Sequence, residues 1–147
     1  MGLGGVLTAV LTAIQVAAMP SSPAAVRRPL APGSVWDSVF TLEQAGRGET
    51  TFRATCASCH GDSLGGMLDA PPLTGPEFHK TWDGNTLSSL FIRINNDMPS
   101  DNPGILSAPQ VAELVAFVLR YNGYPAGKTE LPAAPESLKQ IRFLPRP

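Results

Sequence analysis

The chain has 147 residues, enough for one domain with tails, and a formal net charge of −1 at pH 7. Apolar residues make up 43% and charged residues 16%, which excludes a disordered chain and gives no electrostatic case for a nucleic-acid partner. With 15 prolines and 14 glycines it reads as long ordered loops around a few short helices, not as a helix-saturated bundle.

Met1 to Val26 carries no charged side chain, and Val6 to Ala18 is mostly apolar. That run has the length of a signal-peptide core and is short for a bilayer span, and Val16-Ala17-Ala18 supplies small residues for cleavage. Residues 1–18 therefore read as a signal peptide, although no Lys or Arg precedes the apolar core. Arg27 and Arg28 follow the core, so they are not a twin-arginine signal. The expected location is the periplasm, with no stable membrane span in the mature chain. An uncleaved anchor and a frayed apolar tail are the competing readings. Residues 19–35, rich in Pro, Ala and Ser, read as a linker ahead of a domain over 36–124.

The first predicted helix opens at Thr41, with Gln44 placed to complete a capping box. Ala45, Gly48, Phe52 and Cys56 then form one helical stripe that ends on the first cysteine. Gly48 costs such a helix about 1 kcal/mol relative to Ala, which predicts a close approach at that position. The segment "GDSLGGMLDAPPLTGPEFHKTWDGN" reads as loop. A second helix starts near Asn85 or Thr86, buries Leu87, Leu90, Phe91 and Ile94, and ends by Asp97 because Pro99 disfavours helical geometry at Met98. The third has Ser107 as cap, Pro109 in its first turn and Gln110 completing a capping box. Its buried stripe is Val111, Leu114, Val115 and Val118, and Asn122-Gly123 ends it. Residues 125–147 form a Pro-rich extension that Leu131, Leu138, Ile141 and Phe143 dock back on the body, with one or two helical turns in "PESLKQI".

Both cysteines of the chain lie in "CASCH", Cys56 to His60. Cys-x-x-Cys-His is the c-type haem attachment pattern. Two sulfurs on one side of a helical turn reach the two vinyl groups of one porphyrin, and His60 directs Nε2 at the iron. Zinc wants four ligands, and here only His79 is left over. Thiol redox of the thioredoxin kind wants a βαβ context, which is absent. A disulfide across the box would close a tiny loop of little stabilising value.

A six-coordinate iron needs a second axial ligand. Met67 follows His60 closely, in a loop expected on the histidine side, and is read as packed or exposed. His79 would give a bis-His haem, but a lone loop histidine is more often a surface group. Met98 lies in "NNDMPSDNPG", stiffened by Pro99 and Pro103, and is the favoured ligand, with core packing as its ordinary alternative.

"GETTFRATCASCHG", "APPLTG", "NDMPSDNPG" and "LSAPQVAELVAFVLRYNG", in that order, resemble the class I c-type cytochromes. "SVWDSVFTLEQAGRG", "TWDGNTLSSLF", "NGYPAG" and "IRF" narrow the resemblance to small periplasmic cytochromes associated with quinoprotein dehydrogenases, over about Ser34 to Phe143. The resemblance implies an all-α class I cytochrome c fold: three main helices and loops around one covalent haem c, held through Cys56 and Cys59. It implies that the first and last helices cross at Gly48, Phe52 and Phe117. It implies that the Pro71 carbonyl accepts from the axial histidine Nδ1–H and that Leu73 packs on the ring. Trp82 would lie near a haem propionate or be an ordinary core aromatic; Arg93 would neutralise a propionate or simply be exposed.

The function so implied is single-electron transfer between donor and acceptor redox proteins, among them a quinoprotein dehydrogenase, with no enzymatic step of its own. The rival is a haem enzyme or gas sensor with an open or labile distal position, for which "NNDMPSDN" supplies polar groups.

Overall fold

The computed structural model describes residues 1–2, 33–67 and 69–147. The expected signal peptide, beyond its first two residues, and nearly all of the expected linker lie outside them. The described residues form six helices in order: α1 (Leu42–Thr55), α2 (Ala57–His60), α3 (Gly75–Trp82), α4 (Leu87–Asp97), α5 (Ala108–Tyr121) and α6 (Pro135–Leu138). Among the described residues there is no strand, only isolated bridges that join Arg142 to Ser34 and Thr86, and Met67 to Ala70.

The body of the molecule is the crossing of α1 on α5. A Cβ placed on Gly48 would overlap the backbone carbonyl of Glu113, so only glycine lets the two backbones meet. One turn on, the rings of Phe52 and Phe117 pack with centroids 5.1 Å apart. Both are buried, a gain of about 1.5–3 kcal/mol each. The crossing is tied at its edge by Glu49, which accepts from both Arg53 and Arg120. Hydrogen bonds from Arg53 and then Arg120 hold the Glu49 carboxyl below the usual carboxylate range.

α5 buries Val111, Leu114, Val115 and Val118, and Gln110 Oε1 accepts from the Ser107 N–H at 2.9 Å. At α1 the capping box is only half formed. Thr41 Oγ1 accepts from the Gln44 N–H, but the Gln44 side chain does not reach back. It is buried and grips Leu131 instead, donating to its carbonyl at 2.9 Å and accepting from its N–H at 2.8 Å. Satisfying two buried backbone groups of the extension outweighs one exposed capping bond.

α4 is capped by Thr86, buries Leu87, Leu90 and Phe91, and ends at Met98. α3 falls where the sequence reads as loop. Gly75 and Pro76 open it, Glu77 lies in its first turn, and Phe78 is its buried residue. The extension returns across the body. Leu131, Leu138, Ile141 and Phe143 are buried in the same cluster as the helices, and α6 is a single turn. Val35 is buried, and its N–H donates to the Arg142 carbonyl.

Candidate functional site

α1 delivers its stripe to Cys56, the C-cap residue, and the chain turns at once into the short α2. Cys56 and Cys59 are both free thiols, the first half-buried and the second exposed. Burial pushes the Cys56 thiol pKa up, against the hydrogen bond it shares with the Thr55 hydroxyl at 3.3 Å. The backbone N–H groups of Cys59 and His60 both donate to the Cys56 carbonyl, so the box is one tight turn.

His60 is buried, and its Nδ1 lies 2.9 Å from the Pro71 carbonyl oxygen. A ring nitrogen facing a carbonyl must carry the proton, so Nε2 is left with its lone pair available. The loop that brings Pro71 there is locked by glycine. Gly66 has φ +77°, and a Cβ on it would lie 2.5 Å from the Ala70 oxygen and 2.9 Å from the Pro71 carbonyl carbon. The Gly66 N–H in turn donates to the His60 carbonyl at 2.9 Å. Leu73 is half-buried; its N–H donates to Leu64 and its carbonyl accepts from the Asn122 side chain at 2.9 Å. Thus α5 anchors the far end of the same loop.

The remaining sequence candidates stand on α3, on α4 and its C-cap, and in the loop after α2. Trp82 ends α3 and packs against Phe78 and Phe143 at 6.3 and 6.1 Å. Met98 is the C-cap of α4, half-buried, with its N–H donating to Ile94. Met67 is 49% exposed. His79 is not on a loop, as the sequence reading had it; it lies on α3, with Nδ1 3.5 Å from Asp83. Arg93 is exposed and pairs with Asp97 at 2.9 Å.

Sequence reasoning missed two positioning residues here. Gly66 is one of a Gly-Gly pair, whose need for a positive φ was a readable sign. Asn122 was read only as a helix stop, and nothing local showed that its amide holds Leu73.

The donor set fits a haem. Two free thiols share one turn, and an imidazole beside them has Nδ1 occupied and Nε2 free. Half-buried Cys56, Ala57, Leu73, Trp82 and Ile94 border the core and supply apolar surface. Among the described residues no three His, Cys, Asp or Glu side chains converge as a metal-ion site, so a zinc cluster finds no donors.

In comparison with solved structures, the fold is similar to a chain of the sulfane dehydrogenase SoxCD from Paracoccus pantotrophus, with TM-score 0.52 and 23% identity. The match covers 74% of this chain and 61% of that one, so the chain spans under two thirds of the length of its structural relative. No curated protein matches it. The family model described as cytochrome c oxidase, cbb3-type, subunit III matches residues 43–118, from the start of α1 to near the end of α5. That stretch is more than half of the chain and includes the whole Cys-x-x-Cys-His turn with its Pro71 loop, and so the chain belongs to this family of cytochrome c domains and has the class I cytochrome c fold.

Proposed function

We propose that the chain carries single electrons between redox proteins in the bacterial periplasm as a mono-haem c-type cytochrome. The observation that carries this is the His60 Nδ1 to Pro71 carbonyl bond at 2.9 Å beside two free thiols in one turn. Haem c, once joined by the Cys56 and Cys59 sulfurs, supplies a one-electron iron couple. The chain's own residues do the rest. Donation from His60 Nδ1 to Pro71 fixes the tautomer and raises the basicity of Nε2, the atom that would hold the iron. Met98 would hold the iron through a soft thioether, which would favour the ferrous state and raise the potential. Leu73 and the other half-buried apolar side chains would exclude water from the ring, which would favour the same state. No side chain in the site takes or gives a proton during transfer. With His60 and Met98 both holding it, the iron would have no place for a substrate, which separates this reading from a gas sensor or haem enzyme.

The partner class we favour is a dehydrogenase, in line with the sequence resemblance and with the name of the structural relative. Docking between such partners is transient and buries little surface. No helix among the described residues is long and apolar enough to cross a membrane.

Carbon monoxide added to the reduced protein tests the reading. The wild type should not bind it rapidly, Met98→Ala should bind it at once, and Met67→Leu should behave as wild type. Rapid binding by the wild type would favour an open distal position instead.

A further inference from the structure

The terminal segment from Leu138 to Leu144 makes bonds that serve α4 and nothing in the haem-binding turn. The Leu87 N–H, an orphan donor of the first helical turn, donates to the Ile141 carbonyl at 2.8 Å. Just before the helix, Gly84 N–H donates to Phe143 at 2.7 Å and Phe143 N–H donates to Asn85 at 3.0 Å. The Arg142 guanidinium closes the rung on the Gly84 carbonyl at 2.8 Å. On its other side the same segment is held by Gly33 and Val35, and the Trp36 indole N–H donates to Leu144 at 2.9 Å. Leu138, Ile141 and Phe143 are buried with Leu87, Leu90 and Phe91 of α4. α4 packs on α6 as well as on α5, whereas α1 and α5 pack chiefly on each other.

We propose that this terminal segment is the seat of α4, and that by fixing the helix's first turn it fixes Met98 at the helix's last. α4 is an 11-residue helix whose far end is the C-cap Met98. A helix transmits displacement along its axis because its backbone bonds are cooperative, so a loosened first turn lets the whole element shift or fray. Ile141 and Phe143 are therefore positioning residues for Met98, remote from it in the chain. Its consequence for the iron rests on the reading of Met98 as a ligand; the seating of α4 does not.

The experiment uses the mature haem-loaded protein and four variants: Ile141→Ala, the milder Ile141→Val, Phe117→Leu as a control at the α1–α5 crossing, and Met98→Ala as a reference for loss of the sulfur. Amide hydrogen exchange and the far-red sulfur-to-iron absorption band are read on each, with carbon monoxide association on the reduced form. We expect Ile141→Ala to lower protection of the α4 amides by about tenfold or more while α5 amides keep theirs, with Ile141→Val in between. The sulfur band should weaken and carbon monoxide association should rise by a similar factor, while Phe117→Leu produces no such selectivity. Equal loss of protection in α4 and α5, or the same α4 opening in Phe117→Leu, would overturn the proposal. If α4 alone opens but Met98→Ala leaves the band untouched, the seat stands and the ligand assignment falls.

Discussion

Tyr124 shows how a single side chain can lose stability and still be kept. It is buried, and its hydroxyl has no hydrogen-bond partner among the described residues. An unpaired buried hydroxyl costs about 1–3 kcal/mol. The ring itself packs on Trp36 at 4.6 Å and on Phe143 at 6.1 Å, which offsets that cost. Tyr124→Phe should then raise stability by about 1 kcal/mol, measured by urea denaturation near pH 7. Burial, with the Asp83 charge adding to it, pushes the phenol pKa up to about 12. The folded state keeps its proton after the unfolded chain has lost it, so the contribution is complete below pH 10 and is lost as pH rises towards 12. The variant should lack that alkaline decline; an identical decline in both proteins would contradict the assignment. Gly66 makes the opposite case. Gly66→Ala adds a Cβ against the backbone of Ala70 and Pro71 at positive φ, and should cost about 2 kcal/mol or more. The same variant should also detach the Pro71 carbonyl from His60, read as a rise in reduction potential, because a less basic Nε2 would stabilise the ferric state less, or as a changed imidazole proton resonance.

Between elements, the tightest contact is the α1–α5 crossing. Gly48→Ala drives a methyl into the Glu113 carbonyl, which lies on backbone and cannot swing away. Overpacking of this kind costs about 3 kcal/mol or more, seen as a lowered urea midpoint. Glu49 ties the same pair by charge. Its folded pKa is depressed, so its contribution is present above the unfolded carboxylate value near 4.5 and is lost as pH falls through the folded one. Glu49→Gln should therefore narrow the difference in stability between pH 7 and pH 3; an unchanged acid limb would show that the carboxylate contributes nothing. The helices α1, α4 and α5 were legible because their signals are local. Thr86 and Ser107 cap them, and Leu87, Leu90 and Phe91 repeat at helical spacing. α3 was not, because an 8-residue helix opened by Gly75 and Pro76 has the composition of a turn. Its apolar content is Phe78 and Trp82, too little for a periodic stripe.

Across the whole molecule, what the sequence hid is what acts over distance. The Gln44 clamp on Leu131 joins residues separated by 87 positions, and a glutamine three places after Thr41 reads as a local cap. Nothing in "IRF" shows that Arg142 bridges Ser34 and Thr86 at once. The docking of the extension was readable only as four apolar side chains, without its partners. In the site, the Cys-x-x-Cys-His turn is legible because its chemistry is contiguous, while the Gly66 lock and the Asn122 anchor depend on a folded loop. The central claim, that Cys56 and Cys59 are both spent on one haem, is tested most directly by the intact mass of the denatured chain, made in a host that matures other c-type cytochromes. The account predicts a chain heavier by one haem, with no thiol left for alkylation. A chain of polypeptide mass with both thiols free to alkylate would contradict it.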